Sequence, residues 1–383
     1  MRWEVHNFED VVFLQEGPGI RKYEYEEGGY PMINVRCVQD GYVDMSKSRS
    51  ANRELAEGKW KHFQIDAGDI LFTISGTIGR AAIVKPSDLP LLMNTSVVRF
   101  KSKVPALSPS FLYHYVRSSY FVLRLQGMAT GTAIKNVGPS HLKKMSVPIP
   151  PLEEQERIVE VLDEAFAAID RAKANIERNL TNARELFQSH LSDIFSDASE
   201  KWDSFNLEAV LDMYQPKTIA QKEMAEDGKY PVFGANGQIG WHNEFNHEEP
   251  EVLLTCRGAT CGFLNWSLPN SWINGNAMVM RPKDSSQLSQ EFLFKALEGG
   301  VDTTKAITGS AQPQITRKSL NPLCIPIPPL EEQERIVREL DSLKEERKGL
   351  EVRYQAAFDN LKELRQSILE QAFEGKLTEP VAA

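Results

Sequence analysis

The chain has 383 residues, which is enough for two or three domains that each bury a hydrophobic core. Hydrophobic residues make up 41% and charged residues 25%, as in ordinary globular proteins, and no apolar run approaches the ~20 residues of a membrane span. The charged start, MRWEVHNFED, does not resemble a signal peptide, and four scattered cysteines are typical of a reducing compartment, so we expect a cytoplasmic protein.

Charge is distributed unevenly along the chain. The net charge of −9 argues against a nucleic-acid partner when the chain is taken as a whole. Residues 1–150 nevertheless hold 19 Lys and Arg against 14 Asp and Glu, whereas residues 201–328 hold 11 against 14. The first of these blocks is therefore basic, and the second needs a local basic patch if it binds DNA.

The first block, residues 1–150, has the pattern of a strand-rich α+β domain. Short β-rich runs are broken by glycines, as in GDILFTISGTIGRAAIV (68–84). One amphipathic helix is predicted in SPSFLYHYVRSSYFVLRL (108–125).

A long helix is predicted next, over residues 151–200. Pro151 suits the first helical turn, the acidic residues after it suit the helix dipole, and no glycine or proline occurs from Leu152 to Ser204. Apolar residues recur at steps of three and four from Val159 to Ile194, which is a coiled-coil period interrupted at Lys173. At ~1.5 Å per residue the helix would be roughly 65 Å long, too long for one small domain to bury.

The second half of the chain repeats the first. PIPPLEEQERIV occurs at 148–159 and again, identical, at 326–337, and the same offset of 178 aligns RELFQSHLSDIF (184–195) with KELRQSILEQAF (362–373). Because surface loops tolerate length changes, a register kept this long indicates one continuous element. A second long helix, interrupted at Arg347, is therefore predicted over residues 329–376, before a short tail at 377–383. Two such helices in one chain are expected to pair with each other.

The block between the helices, residues 201–328, repeats the first block only loosely. PEVLLTCRGATCGFLNW (250–266) corresponds to 68–84, and GSAQPQITRKSLNPLCIPIP (309–328) corresponds to GTAIKNVGPSHLKKMSVPIP (131–150). Aligning MNTSVVRFK (93–101) with GNAMVMRPK (275–283) matches Asn94 with Asn276 and Arg99 with Arg281. The predicted order is domain, helix, domain, helix, with both domains α+β.

This order, with these strings, resembles the specificity subunits of Type I restriction–modification enzymes. The matching motifs are GDILFTISGTIGRAAIV, YPVFGANGQIGWHNEFN (230–246), the proline-plus-EEQERIV junction placed twice, and LRQSILEQAFEGKL (364–377). The resemblance covers nearly the whole chain. It implies two strand-rich target-recognition domains joined by two long antiparallel coiled-coil helices with pseudo-two-fold symmetry. Each domain would read one half of a split double-stranded DNA sequence, and the helices would fix the distance between the halves.

The resemblance also implies partners and places the chemistry outside this chain. Modification subunits, two of them in the expected complex, would bind S-adenosylmethionine and methylate adenine, and translocating restriction subunits would join in systems that also cleave DNA. The chain itself is expected to hold no cofactor, no metal and no catalytic residue. The alternatives are a complex that only methylates DNA and, less favoured, a coiled-coil scaffold that reads no DNA.

Polar loops in the two globular blocks are the candidate DNA contacts. Glycine lets backbone N–H groups approach phosphate, and Arg, Asn and Gln side chains can pair with purines. In the first block the candidates are Gly76, Thr77, Arg80, Asn94, Thr132, Lys135 and Asn136. In the second block they are Arg257, Thr260, Asn276, Ser310, Gln312, Gln314 and Arg317. The alternative is that the glycines only shape turns and the asparagines satisfy local backbone.

The EEQER clusters are the candidate sites for partner subunits. They pair carboxylates with arginine at helical spacing, which local salt bridges would explain. Their identity in both copies goes beyond what helix formation requires, and it favours a docking face. The residues are Glu153, Glu154, Gln155, Arg157, Glu331, Glu332, Gln333 and Arg335.

Patterns for other chemistry are incomplete. A zinc site could be drawn from two histidines and two cysteines, which are His242, His247, Cys256 and Cys261. Both cysteines, however, align with isoleucines of the first block, so buried cysteines are favoured over metal ligands. GANGQIG (234–240) lacks the lysine of a phosphate loop and is predicted to be a turn. A methyltransferase in its own right would need an Asn/Asp-Pro-Pro-Tyr/Phe site, which the nearest string, NPLC (321–324), does not match.

Overall fold

The computed structural model describes residues 3–129, 137–196, 198–234, 236–309 and 312–377, and the chain divides into two compact units. Unit 1 comprises residues 1–175 and 356–383, and unit 2 comprises residues 176–355. Both units combine helices with antiparallel-rich sheets, which confirms the predicted α+β class. No helix within the described ranges is both long and apolar enough to cross a membrane.

The described part of unit 1 contains nine strands and five short helices before the first long one. The strands are β1 (Glu4–Asn7), β2 (Val12–Glu16), β3 (Tyr25–Ile33), β4 (Arg49–Ala51), β5 (Ile70–Thr73), β6 (Ala81–Ile83), β7 (Leu92–Met93), β8 (Val97–Ser102) and β9 (Ser146–Ile149). The helices are α1 (Phe8–Val11), α2 (Arg53–Glu57), α3 (Pro109–Arg117), α4 (Ser119–Gly127), α5 (Pro139–Leu142) and the long α6 (Leu152–Ser196), which continues into unit 2.

The described part of unit 2 also contains nine strands, but four short α-helices instead of five. Its strands are β10 (Ser204–Asn206), β11 (Leu211–Tyr214), β12 (Tyr230–Gly234), β13 (Gly237–His242), β14 (Val252–Thr255), β15 (Leu264–Trp266), β16 (Trp272–Ile273), β17 (Ala277–Pro282) and β18 (Cys324–Pro326). Its helices are α7 (Ala198–Lys201), α8 (Leu207–Val210), α9 (Gln290–Gly299), α10 (Arg317–Leu320) and the long α11 (Leu330–Phe373), which continues into unit 1.

Each strand of unit 1 has a counterpart nine strands later. The four-stranded sheets have the orders β2-β8-β5-β6 and β11-β17-β14-β15, and the three-stranded sheets have the orders β4-β3-β7 and β13-β12-β16. In both three-stranded sheets the last pair is parallel. The two-stranded sheets pair β1 with β9 and β10 with β18, so the PIP segment before each long helix ends a strand. The internal repeat of the sequence is therefore a repeat of sheet topology.

The central strands explain why the pattern there is apolar without alternation. Every residue of β5 and β14 is buried, because one face of each strand meets the helices and the other meets a second apolar cluster. In unit 1 the main core is aromatic: Phe72 packs on Phe100 and Phe121 at ring-centre distances of 5.5 and 5.8 Å.

The single amphipathic helix predicted over 108–125 is two helices. The backbone of Ser118 is extended (φ −63°, ψ 147°) and separates α3 from α4. Its hydroxyl accepts a hydrogen bond from the backbone N–H of Phe121 and donates one to the carbonyl of Tyr115. Ser118 thus serves as the N-cap of α4, a role that the apolar period did not reveal.

The two long helices pack antiparallel within each unit. In unit 1, Arg365 of α11 donates to Asp170 of α6 at 2.9 Å, and Lys173 lies 5.2 Å from the ring centre of Phe358. In unit 2, the Arg347 guanidinium lies 5.2 Å from the ring centre of Phe187. The two cations that interrupt the coiled-coil period therefore contact aromatic rings across the pair, a favourable cation–π geometry.

Candidate nucleic-acid interface

The glycine loop after the central strand has the same framework in both units. In unit 1, Thr73 at the end of β5 accepts from the N–H of Gly79 at 3.2 Å, and its own N–H donates to the carbonyl of Arg80 at 3.0 Å. In unit 2, Thr255 makes the matching bonds with Gly262 and Phe263 at 2.9 and 2.8 Å. The unit 2 loop has one residue more between these anchors, so two loops on one framework differ in length and side chains.

Gly76 and Thr77 lie at the exposed tip of the unit 1 loop, and Arg80 is half-buried beside it. Gly76 has φ +70° and Gly79 has φ +105°, and a side chain at Gly79 would also come within 2.8 Å of Val122. These glycines shape the turn, as the alternative interpretation holds, and they leave the tip open to solvent. The same framework thus sets the turn geometry and leaves Gly76 and Thr77 accessible to solvent.

A second chain segment runs beside each glycine loop. In unit 1 the N–H of Val137 donates to the carbonyl of Ile74 at 2.9 Å, and in unit 2 the N–H of Ile315 donates to the carbonyl of Cys256 at 2.9 Å. The candidates in the unit 1 segment, Thr132, Lys135 and Asn136, lie outside the described residues, as does Ser310 of unit 2.

In unit 2 the structure brings most of the candidate residues together. Arg257 faces Gln314 in an isolated β-bridge, and the two side chains are exposed. Thr260 donates from its hydroxyl to the Asn236 side chain at 2.6 Å, which adds the β12–β13 turn to the surface. Gln312 is also exposed in the same segment. Arg317 is exposed at the first position of α10, two residues after Ile315.

Asn236 was missed from the sequence because GANGQIG was assigned only as a turn. Gly234 and Gly237 do pair across that turn, as predicted, and Gly237 has φ +104°. The Asn236 amide is exposed between them and contacts the glycine loop through Thr260. Asparagine is common in hairpin turns because it adopts the backbone angles that they need. The sequence alone therefore does not mark Asn236 as functional, and only its contact with Thr260 places it on the candidate surface.

The strand register corrects the alignment that matched Asn94 with Asn276. Thr73 lies opposite Val97, and Thr255 lies opposite Ala277, so the offset between β8 and β17 is 180 rather than 182. Asn94 therefore corresponds to Asn274. The side-chain oxygen of Asn94 accepts from the N–H and hydroxyl of Ser96, at 3.0 and 2.5 Å, so it closes a local turn.

Asn274 and Asn276 have different roles in unit 2. Asn274 is buried, and its amide binds the backbone of Ile219 through both its oxygen and its nitrogen, at 3.1 and 3.2 Å. Asn276 is exposed, and its carbonyl accepts from the N–H of Cys256 in the glycine loop. Of Asn94, Asn274 and Asn276, only Asn276 is exposed beside the glycine loop.

The register also corrects the match of Arg99 with Arg281. At an offset of 180, Arg281 corresponds to Lys101, and both contact a buried carboxylate at the start of the central strand. Lys101 lies 3.0 Å from Asp69, and the Arg281 guanidinium donates to Glu251. The hydrogen bonds and charge of Glu251 raise the pKa of Arg281. Both cations therefore have a structural partner at the start of the central strand.

The cysteines and histidines considered for zinc have other surroundings. Cys256 is completely buried, which raises its pKa to about 11, and Cys261 is half-buried. His247 is buried against Tyr214, whose hydroxyl lies 2.8 Å from its Nε2, and burial together with Arg281 lowers the pKa of His247 to about 4. Across the described ranges, no three His, Cys, Asp or Glu side chains are grouped to hold a metal ion.

Gln155 and Gln333 are removed from the candidate docking face because both are completely buried. The Gln155 amide nitrogen donates to the carbonyls of Ala106 and Pro150, both at 2.7 Å, and its oxygen accepts from the N–H of Ser108 at 2.8 Å. Each glutamine attaches the first turn of its helix to the adjoining sheet domain. Their identity in both copies therefore has a structural reason.

The charged members of the EEQER clusters remain on the surface. Glu153, Arg157 and Glu331 are exposed, and Glu154 and Glu332 are half-exposed. Arg335 donates to Glu332 through two nitrogens at 2.8 Å and to Glu339 at 2.8 Å, and these bonds hold the pKa of Glu332 below its usual value. Local salt bridges thus account for Arg335, as the alternative interpretation holds.

A different stripe of each long helix is repeated, and all of its residues except the half-buried Ser367 are exposed. On α6 it consists of Asn182, Glu185, Leu186 and Ser189, and on α11 of the identical residues Asn360, Glu363, Leu364 and Ser367. The spacing of three, four and seven residues places each set on one helix face. Leu186 is 72% exposed at the rim of the groove between the two helices of unit 2, and Leu364 is 48% exposed. The sequence comparison matched three of these four pairs, but only the exposure identifies the stripe as a surface.

Comparisons with known proteins point to the same family that the sequence motifs resemble. A family model described as Type I restriction modification DNA specificity domain matches residues 1–181 and 199–353. The specificity subunit of the Type I restriction enzyme StySPI of Salmonella potsdam is 23% identical, with 98% of this chain and 89% of the relative aligned. The EcoKI specificity subunit of Escherichia coli K12 is 22% identical, again with 98% of this chain and 89% of the relative aligned. The EcoBI specificity subunit of Escherichia coli is 28% identical over 52% of this chain and 42% of its own length.

Two solved structures share the fold. One, described as the structural basis underlying complex assembly and conformational transition of the type I R-M system, superposes with a TM-score of 0.74 at 22% identity over 98% of both chains. The HsdS subunit from Thermoanaerobacter tengcongensis superposes with a TM-score of 0.57 at 21% identity, over 98% of this chain and 97% of that one.

Proposed function

Because the chain belongs to the Type I restriction modification DNA specificity family, we propose that it reads a split double-stranded DNA sequence, one half with each unit. It directs partner subunits to that sequence and carries out no chemistry itself. The partners are two modification subunits that bind S-adenosylmethionine and methylate adenine in the cytoplasm, and restriction subunits join them if the system also cleaves.

The observation that carries this proposal is one loop framework used twice with different side chains. Thr73 and Thr255 anchor the two glycine loops with the same hydrogen bonds, yet two residues after each threonine unit 1 has the half-buried Ser75 and unit 2 has the exposed Arg257. A common framework places both loops equivalently in their units, and divergent side chains present different donors and acceptors to base edges. A protein that read two identical half-sites would not need this divergence.

The long helices supply the second part of the proposal. Their residue number fixes the spacer between the half-sites, because a helix advances by ~1.5 Å per residue. The repeated stripes at Leu186 and Leu364 each dock one modification subunit. A stripe in which an exposed leucine lies among identical polar residues, repeated on the two helices, suits two copies of one partner.

Mapping of adenine methylation in the genome tests the proposal. Deleting the gene is expected to abolish methylation at one split motif, and restoring it should return the same motif. Replacing residues 201–328 with the corresponding block of a relative should change one half of the motif and leave the other half and the spacer unchanged. A motif that survives deletion, or a chain that binds no DNA in complex with its partner subunits, would favour the scaffold alternative.

A further inference from the structure

A cavity beside the glycine loop occurs at the same place in both units. In unit 1 it has a volume of about 540 Å³ and is bounded by the end of the loop, the α3–α4 corner and the last turns of α11. In unit 2 a cavity of about 500 Å³ is bounded by the end of the loop, the end of α9 and α6. Gln366 lines the first cavity and its repeat partner Gln188 lines the second.

The two cavities carry opposite charge. The charged residues that line the unit 1 cavity are Asp40, Arg80, Arg117, Lys362, Arg365 and Glu370, four cations against two anions. In unit 2 the charged lining residues are Glu298 and Asp302, and there is no cation among them. Both volumes lie within the range of small-ligand sites, so the difference between the cavities is chemical.

Three arginines of the unit 1 cavity have uncharged or acidic counterparts in unit 2. Arg80 corresponds to Phe263: the carbonyl of Arg80 accepts from the N–H of Thr73, and the carbonyl of Phe263 accepts from the N–H of the equivalent Thr255. Arg365 corresponds to Phe187 at the constant helix offset.

Arg117 corresponds to Glu298 through the helices α3 and α9. His114 lies three residues before Arg117 and pairs with Asp163 of α6. Lys295 lies three residues before Glu298 and pairs with Asp341 of α11, which is the repeat partner of Asp163. Three positions from different elements of unit 1 therefore converge as guanidinium groups in one cavity. Nothing in the shared fold requires those charges, because unit 2 keeps the fold without them.

Two of the guanidinium groups are held rigidly. Arg117 is buried, and its Nε and Nη2 atoms donate to Asp40 Oδ1 at 3.0 and 2.6 Å, while its plane lies over the ring of Tyr113. Arg365 donates to Asp170 and lies 4.3 Å from the ring centre of Phe166. Both are fixed before any ligand arrives, which lowers the entropic cost of binding.

The other two cations are unpaired within the described part of the chain. No described carboxylate lies within 4.0 Å of the Arg80 guanidinium or the Lys362 ammonium, which come from the loop and from α11. With Arg117 and Arg365 held by carboxylates, Arg80 and Lys362 outnumber the remaining lining carboxylate, Glu370, and the resulting excess of positive charge favours an anionic occupant.

We propose that the unit 1 cavity is a phosphate-binding site, in which Arg80 and Lys362 contact the phosphate oxygens and Arg117 and Arg365 supply the fixed positive surroundings. Unit 2 lacks the site. The phosphate group belongs either to the backbone of a DNA duplex, which would extend the proposed DNA reading, or to free phosphate or a nucleotide. Phosphate binding by the chain does not depend on the proposed function.

The first experiment follows thermal unfolding of the full chain in sodium phosphate and in sodium chloride of equal ionic strength. Phosphate should raise the Tm of the wild type beyond the effect of chloride. The double variant R80A/K362A should bind phosphate at least about tenfold more weakly, the loss expected from removing charge-assisted hydrogen bonds. The matched control is R184A, since Arg184 is the repeat partner of Lys362 in unit 2, and it should respond like the wild type. Equal responses of all three proteins to phosphate and to chloride would overturn the proposal.

The second experiment identifies the source of the phosphate. The salt dependence of duplex binding is measured for the same proteins together with their partner subunits. A slope that is shallower by about 0.9 per lost contact in R80A/K362A assigns the site to the DNA backbone. An unchanged slope, with phosphate binding lost in the first experiment, assigns it to free phosphate or a nucleotide.

Two further outcomes are distinguishable from these. If R80A/K362A fails only to assemble with the partner subunits, and phosphate binding is unchanged, the cavity holds an acidic protein segment and the phosphate proposal is wrong. If the wild type binds no DNA at all, the proposed function fails, while phosphate-specific stabilisation in the first experiment still supports the cavity.

Discussion

Gln155 and Gln333, which occupy the same place in the two copies of the repeat, make the same three hydrogen bonds, each to the sheet domain that precedes its helix. Gln333 donates to the carbonyls of Gln287 and Pro328, at 2.7 and 2.8 Å, and accepts from the N–H of Ser289 at 2.9 Å. Gln155 does the same with Ala106, Pro150 and Ser108. A helix whose first turn is attached in this way cannot rotate about its axis without breaking buried hydrogen bonds.

Replacing either glutamine by leucine is expected to destabilise the chain. The substitution Gln155→Leu leaves two carbonyls and one N–H without partners, and we expect it to lower the free energy of unfolding by about 3 kcal/mol. Chemical denaturation followed by circular dichroism measures the change. Glu153→Gln, two residues earlier and exposed, is the control and should change stability by less than about 0.5 kcal/mol. Equal midpoints for Q155L and E153Q would contradict the structural role.

The stability of unit 2 should depend on the protonation of His247. The folded pKa, about 4, lies below the ordinary histidine value of 6.5, so the unfolded state binds more protons between these two pH values. Stability is therefore complete above pH 6.5 and falls as the pH drops towards 4. Between pH 7 and pH 5 we expect a loss of about 2 kcal/mol from this residue.

Hydrogen exchange of the β14 amides, corrected for the intrinsic rate at each pH, measures this loss in unit 2 alone. The variant H247Q should lose most of the pH dependence, and H242Q, a substitution of a half-exposed histidine in the same unit, should keep it. If H247Q and the wild type show the same slope, His247 does not control the acid sensitivity of this unit.

Arg257 is the sharpest test of DNA reading in unit 2. Its side chain is exposed at the loop tip beside Gln314, and no hydrogen bond to another described residue occupies it. Arg257→Ala is expected to weaken binding to the intact target by at least about tenfold, as for a lost bidentate base contact. Binding to duplexes altered in one half-site at a time, measured by fluorescence anisotropy, should show relaxed specificity in one half only. The control is R338A, since Arg338 is an exposed arginine of α11, and it should leave the recognition of both half-sites unchanged. A loss of affinity that is equal for all DNA sequences would make Arg257 a phosphate contact.

Leu186 and Leu364 should each account for one partner subunit. Because both side chains are largely exposed, Leu186→Asp and Leu364→Asp are expected to fold normally, and each should remove one modification subunit from the assembled complex. Native mass spectrometry gives the stoichiometry. Val352 is 66% exposed on α11 and its counterpart in the first copy is the much smaller Ala174, so V352D is the control. Full assembly in L186D and L364D would exclude the stripe as the docking surface.

Much of the fold could be predicted because the repeat appears in long, regular elements. The proline junction and the constant offset of 178 locate both long helices, whose observed bounds are Leu152–Ser196 and Leu330–Phe373. The apolar run ILFT became the buried strand β5 because a strand covered on both faces needs no polar alternation. The break at Ser118 was missed because the apolar period continues across it.

The site was harder to predict because loop lengths change the register between the two copies. The offset is 182 at Asp69 and Glu251, 180 at Val97 and Ala277, and 178 at the helices, and only the strand pairing reveals the intermediate value. The sequence also does not show whether a polar residue near the start of a helix faces solvent or the adjoining domain. The buried Gln155 and the exposed Glu153 were therefore assigned to the same surface. The arginines of the unit 1 cavity come from three distant parts of the sequence, and only tertiary structure brings them together.

The last turns of α11 have a consequence for how the protein is made on the ribosome. Phe373 packs edge-on against Phe111 and Tyr115, with ring centres 5.4 and 5.3 Å apart, and Leu369 and Ala372 are buried in the same core. Residues 1–175 therefore emerge from the ribosome with this aromatic pocket uncovered, and the pocket stays open until α11 has been synthesised. A truncation that removes the last turns of α11 would thus damage the domain that is made before it, and chaperone binding during translation should persist until α11 has been synthesised.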